Sequence, residues 1–348
     1  GGGGDKGEGW PTKPSPAALT STGAVEATIV EPRIASSAAQ LVRDNDVVLI
    51  ALPAYGHKCV FDALAPHVRH GQHVIIGSHA SLGALYLRHL LAERGVDDVP
   101  ITAWGTTAVL ARRSSGNEVH VSAVRKLIDM CAIPSEYTDA SLEVCRTLFG
   151  RDRFRRRDGL LAVSLSNLNP QNHMGIALGN MSRMERGELW SQGEMVTPNI
   201  GRLLESLDEE RLDIANALGV EVRTIYEHFH LSFHVPLGSS VSEMNRMMHE
   251  RGNGGVGPST VDSRYVTEDV PYGLVLTVAL GKLTSRPAVL HESGVRIFSA
   301  MYGRDFTAEN ELLDALELEK FDLDDLKRAA ETGLLLRAVE ETETETGT

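Results

Sequence analysis

The chain has 348 residues, of which 42% are apolar and 23% charged, enough for two cores of roughly 150 residues each and too apolar for a disordered chain. Its formal charge of −13, from 34 basic and 47 acidic side chains, argues against a general nucleic-acid binder, which needs a basic field to displace counterions, and favours a small-molecule partner. No run approaches the roughly 18 apolar residues of a membrane span and no basic start leads into an apolar stretch, so no membrane partner is expected and the cytoplasm is the expected compartment.

Gly1-Gly2-Gly3-Gly4 opens a Gly/Pro/Lys segment without an apolar period, so residues 1–20 are expected as a flexible leader or truncated start. Asp46–Ala54 is a short apolar, β-branched run that stops at Pro53, as a strand buried on both faces should. A helix over His57–Val68 follows, then a strand over Gln72–Ser78, a helix over Leu82–Arg94 and a strand over Val99–Trp104. Alternation of this kind implies right-handed crossovers, and therefore a Rossmann-like parallel sheet domain over 21–157. Ligands of such sheets sit at the carboxyl ends of the strands, which draws Leu52-Pro53-Ala54, Ser78-His79 and Trp104-Gly105-Thr106-Thr107 around one crevice. That crevice suits a dinucleotide, with Leu52, Pro53, Ala54 and Thr106 as candidate cofactor contacts. A G-x-G-x-x-G turn would need a strand before it and a helix after it, and neither flanks the opening glycines, so the first β-α-β unit is expected to be incomplete.

Cys59, Cys131 and Cys145 form no C-x-x-C pair and read as three buried, reduced thiols. The charge run Arg151–Asp158 reads as a solvated junction. Beyond it the periodicity is helical: Met174–Leu189, Ile200–Leu218, Val222–Phe233, Ser240–Glu250, Pro271–Thr284 and Ala288–Met301. These imply an all-α domain over 158–335, with an amphipathic stretch from Leu312 to Val339 and an acidic, solvated tail over 336–348. Asp208, three residues before Arg211, is expected as a surface pair. His228, His230 and His234 suggest a metal site only superficially, because residues two apart on a helix face apart and no carboxylate joins them, so no metal is expected. Met244, Met247 and Met248 read as core or pocket lining.

Two segments concentrate polar chemistry. In Asn167-Leu168-Asn169-Pro170-Gln171-Asn172-His173, side-chain amides and a proline precede a histidine at a helix start, where it can exchange a proton with a substrate near neutral pH. The bland alternative is that Asn169 caps the helix and His173 is packed. The second segment, Gly254–Leu274, runs from a glycine-rich loop into Arg264-Tyr265 and Glu268-Asp269-Val270-Pro271. Arg264 can grip a carboxylate bidentately, and Asp269 can hold a histidine in one tautomer, against the alternative of an ordinary loop and a capped helix.

Ala51-Leu52-Pro53-Ala54, Asn169-Pro170-x-x-His173 and Arg264-Tyr265-x-x-Glu268-Asp269-x-Pro271-Tyr272-Gly273-Leu274 together resemble the octopine/nopaline (opine) dehydrogenase family over about residues 30–310. The resemblance implies a dinucleotide-binding domain followed by a helical domain. It also implies NADH or NADPH as cofactor, and reduction of the imine formed between a 2-oxo acid and the amine of an amino acid. The family's catalytic histidine maps onto His173 and its aspartate onto Asp269, 96 positions later. Arg264 becomes the candidate partner of a substrate carboxylate, with Asn169 and Tyr265 as nearby hydrogen-bonding groups. The chain departs from the family at the glycine fingerprint. Two other readings compete: a hydroxy-acid dehydrogenase of the same two-domain plan, and a non-catalytic amino-acid-binding homologue. A homodimer is compatible with the helical second domain.

Overall fold

The computed structural model describes residues 18–335. Its strands are β1 (Ala18–Gly23), β2 (Ala27–Val30), β3 (Val47–Ile50), β4 (His73–Ile76), β5 (Ile101–Trp104), β6 (Val109–Ser115), β7 (Glu118–Val124), β8 (Ile128–Ile133) and β9 (Phe154–Arg156). Five of them form one sheet in the order β3-β4-β5-β8-β9. Helix α1 (Ala38–Arg43) leads into β3, and β3, β4 and β5 run parallel, because helices α2 (His57–Leu64) and α3 (Gly83–Ala92) carry the chain back between them. All four residues of β4 are buried, as the apolar run Val74-Ile75-Ile76 requires, and the His73 ring at its start is paired with Thr102 Oγ1 at 2.6 Å.

The sheet is mixed rather than wholly parallel. β8 pairs antiparallel with β5, Ala103 opposite Cys131, because the β6–β7 hairpin, and not a crossover helix, joins them. That hairpin belongs to a second sheet, in the order β2-β1-β7-β6, which the periodicity of the sequence does not announce. β1 begins at Ala18, inside the stretch expected as leader, and runs parallel to β7 with Thr20 opposite Glu118. The rest of the expected leader and the expected tail lie outside the described residues.

Helix α4 (Thr138–Phe149) connects β8 to β9, and after the chain leaves the sheets at Arg156 it continues as helices α5 (Gly159–Leu165), α6 (Asn169–Glu185), α7 (Gln192–Met195), α8 (Pro198–Leu218), α9 (Ile225–Phe233), α10 (Val241–Glu250), α11 (Arg264–Thr267), α12 (Val275–Leu283), α13 (Val289–Tyr302), α14 (Glu311–Leu316) and α15 (Leu323–Thr332). A single isolated bridge, Ser191 with Val256, interrupts this helical unit among the described residues. One continuous core runs from α2, α3 and β4 through α6, α8 and α12.

Three expectations change. Asp208 and Arg211 form a buried pair, 3% and 2% exposed, because Asp208 also accepts from Gln171 Nε2 at 2.9 Å and from the Ile225 amide at 2.8 Å. The Arg151–Asp158 junction is not simply solvated: Phe154 is buried and Arg155 makes two bonds to Asp129, which anchors β9 to the sheet. Cys59 is exposed, whereas Cys131 and Cys145 are buried. Among the described residues, no three His, Cys, Asp or Glu side chains converge as a metal site, and no helix is long and apolar enough to cross a membrane.

The two units are fastened by residues far apart in sequence. Asn310 Nδ2 donates to Ser81 Oγ at 2.9 Å and to the Pro271 carbonyl at 2.8 Å, and Ser81 Oγ donates to the Tyr272 carbonyl at 2.6 Å. This knot brings the turn after β4 against the segment that carries Asp269.

Candidate active site

The site begins with the turn between α5 and α6. Pro170 occupies the first turn of α6, where its missing N–H has no helical partner to lose, and it fixes the backbone from which His173 projects. Asp269 lies between α11 and a π-helical turn over Val270–Leu274. The two segments dock through a glycine: a Cβ on Gly273 would stand 2.3 Å from Pro170 Cγ, so a side chain at 273 is incompatible with this approach.

The docking places His173 Nδ1 2.7 Å from Asp269 Oδ2, with the two side chains 18% and 19% exposed. The carboxylate accepts only, so the imidazole donates from Nδ1 and leaves Nε2 free to exchange a proton. Tyr265 stacks on the His173 ring, with centroids 3.5 Å apart and an 11° interplanar angle. Its hydroxyl donates to Gln192 Oε1 at 2.5 Å. Burial, and then the Asp269 charge, push the Tyr265 phenol up to about 12, against the opposing charge of Arg112 on β6. Tyr265 is therefore a neutral platform for the imidazole ring.

Glu268 links this pair to the sheet. Its Oε1 accepts from the Ala54 amide at 3.0 Å, and its other oxygen holds Arg264 Nε. That ion pair raises the Arg264 pKa, so the guanidinium, 66% exposed, faces solvent with its charge already answered. His57 braces the same turn: its Nε2 donates to the Leu52 carbonyl at 3.0 Å, and burial lowers its pKa, which keeps the ring neutral.

Of the residues singled out from sequence, His173, Asp269, Tyr265 and Arg264 come together, and Leu52-Pro53-Ala54 meets them through Glu268. Asn169 begins α6, exposed, one turn before His173 and on the same face, and its amide donates to Asn167 Oδ1 at 3.1 Å. Thr106 follows β5, two strands along the same sheet edge from Leu52. Glu268 and Gln192 were not singled out. Glu268 was legible as the other half of an acidic pair, whereas Gln192 lies 73 positions from Tyr265 without any motif to join them.

Residues 156–302 match the family described as NAD/NADP octopine/nopaline dehydrogenase, alpha-helical domain. The chain is 29% identical to an opine dehydrogenase from Arthrobacter sp. (strain 1C) over 295 residues, 83% of this chain and 80% of that protein. Its fold is similar to that of an octopine dehydrogenase solved with NADH and L-arginine, at a TM-score of 0.75 and 18% identity, covering 93% of this chain and 88% of that one. A yersinopine dehydrogenase solved with NADP+ aligns at a TM-score of 0.61 and 16% identity, covering 91% and 86%. Residues 156–302 thus match the alpha-helical domain of the octopine/nopaline dehydrogenases, and the chain as a whole, a Rossmann-type sheet domain followed by that helical domain, is similar in sequence and fold to opine dehydrogenases.

Proposed function

We propose that this protein is an NAD(P)H-dependent opine dehydrogenase that reduces the imine formed between a 2-oxo acid and the amine of an amino acid. The observation that carries this reading is the His173–Asp269 bond at 2.7 Å, held beside the carboxyl end of β3 by Glu268. The relatives support it: one is named opine dehydrogenase, and the solved neighbours carry NADH with L-arginine, or NADP+. In the same reading, residues 21–157 are the nucleotide-binding unit and 158–335 the substrate unit.

The sheet edge fits a dinucleotide. Leu52, exposed, and Pro53, half-buried, form an apolar turn at the end of β3, and a Cβ on Gly105 would meet only ordinary contacts, 3.5 Å or more from Asp129 and Val163, beside Thr106. Leu52, Pro53, Ala54 and Thr106 would hold it, with the Ala54 amide spent on Glu268 and the contact left to side chain and carbonyl. When bound there, the nicotinamide would supply the hydride that the imine carbon takes up.

His173 exchanges the proton at Nε2 as the amine adds to the oxo acid and water leaves. Asp269 holds the imidazole in one tautomer and stabilises its charged form, and Tyr265 fixes the plane of the ring. Arg264 receives a substrate carboxylate in exchange for Glu268, and Asn169 orients a substrate oxygen from the same helix face as His173.

The test is loss of NADH or NADPH absorbance with pyruvate and a panel of amino acids. Oxidation that requires both the oxo acid and the amine, and that His173→Ala abolishes without changing the circular dichroism, is the expected result. Oxidation with the oxo acid alone would replace this reading with a hydroxy-acid dehydrogenase.

A further inference from the structure

Beside the first turn of α6, a narrow pocket lined by Pro170 and Gln171 but not by His173 gathers buried polar atoms that no protein group answers. His79 reaches it from the sheet edge, Ser164 from α5 and His291 from α13, with Gln171, Tyr272 and Thr277 completing the wall. Both ring nitrogens of His79, the Ser164 hydroxyl and His291 Nε2 are buried without a hydrogen-bond partner, and all three side chains line this one space. Buried polar atoms in folded proteins find partners, because leaving one unpaired forfeits its hydration.

The chemistry of the unpaired groups identifies the occupant. His291 donates from Nδ1 to Glu210 at 2.8 Å, so its Nε2 points inward as an acceptor. His79 is fully buried and its pKa is lowered to about 3, so its neutral ring offers one donor and one acceptor. Ser164 offers both. A cation finds no free carboxylate there, since Asp208 is engaged by Arg211, Gln171 and Ile225. An anion finds no free charge either, because the Arg211 guanidinium is committed to Asp208 and to the Leu165 and Arg223 carbonyls. The space measures about 30 Å³, room for one or two waters.

We propose that this cavity is a structural water site, in which bound water joins His79, Ser164 and His291 and so mortars the carboxyl end of β4 to α5 and α13. The water lies under Pro170 and Gly273, the same two residues whose contact aligns His173 with Asp269. It therefore sets the seat of the catalytic pair without touching either of its members.

A high-resolution crystal structure of the full chain tests this directly. Ordered water within hydrogen-bonding distance of a His79 nitrogen, Ser164 Oγ and His291 Nε2 is expected; a dry cavity, or one closed by rotated side chains, overturns the assignment. Water oxygen-17 relaxation dispersion gives a second readout. Ser164→Val, which places a methyl in the cavity, should lower both the number of long-lived waters and the melting temperature. An unchanged count, or a higher melting temperature of the kind apolar filling gives a dry void, contradicts the proposal. Should that variant not fold, the wild-type density decides the matter alone.

Discussion

Glu268 Oε1 accepts the amide of Ala54 at 3.0 Å, across 214 positions of sequence, and so ties the residue beside Asp269 to the turn at the end of β3. Its side chain is 13% exposed. A hydrogen bond to a charged, largely buried acceptor is worth about 1.5–3 kcal/mol. Glu268→Ala should lower unfolding stability by about 2 kcal/mol in urea titration. Glu268→Gln keeps an acceptor for Ala54 and should recover most of that loss, while it releases Arg264 from its ion pair.

Asp208→Ala should be the most damaging single change in the helical unit. It leaves Arg211 charged at 2% exposure and strips partners from Gln171 and Ile225. Removal of one member of a buried pair costs about 3–5 kcal/mol, measurable as a large drop in the denaturant midpoint. An exposed pair such as Arg246 with Glu250 should move the midpoint by less than about 1 kcal/mol when broken in the same way.

Gly273→Ala should disturb activity and stability together. The added Cβ meets Pro170 at 2.3 Å, and overpacking of this kind costs about 1–3 kcal/mol. Pro170 and His173 share the first turn of α6, so kcat should fall as well. A variant that keeps full turnover while losing stability would show that the turn yields without moving the histidine.

Tyr265→Phe keeps the ring stacked on His173 and loses only the bond to Gln192. Because the phenol is pushed up to about 12, it holds its proton at neutral pH and contributes packing rather than proton transfer. Turnover by Tyr265→Phe should stay within about tenfold of wild type, whereas Tyr265→Ala, which frees the imidazole to tilt, should lose far more. Steady-state rates at one pH separate the two.

Acid should destabilise the sheet unit through His73 and His79. Burial lowers their pKa values to about 4 and about 3, against 6.5 for an ordinary histidine. Below pH 6.5 the unfolded chain takes up protons that the folded rings refuse, so stability is lost as pH falls from about 6.5 toward 4. Each ring contributes a slope of about 1.4 kcal/mol per pH unit over that window. His73→Gln should flatten the pH dependence of the urea midpoint by that amount.

The strands that build the crevice were legible because they are short, largely apolar runs; β4 and β5 are buried throughout, whereas β3, expected to be buried on both faces, is the edge strand of its sheet and leaves Leu49 exposed. The residues of the two polar motifs left His173 and Asp269 open to a packed histidine and a capped helix, and their pairing was legible only through the resemblance of those motifs to the opine dehydrogenases. The sheet of β1, β2, β6 and β7 was not, since β2 is exposed along its length and a strand without a buried face carries no apolar alternation. The Asp208–Arg211 spacing reads as a surface pair because i,i+3 charge pairs usually are; burial came from Ile225 and Gln171, which only the tertiary fold brings near. Gln192 carried no signal, because its role depends on a partner hydroxyl that local sequence does not place.

The knot of Ser81, Tyr272 and Asn310 has a consequence for the order in which the protein is made. Ser81 is synthesised more than two hundred residues before the Asn310 amide that it accepts. The sheet unit can form on its own local contacts, but the seat of Asp269 is not locked until α14 has left the ribosome. A nascent chain stopped short of residue 310 would display His173 and Asp269 without the Asn310 bonds that fasten the segment beside Asp269, so their register waits on the arrival of that one side chain.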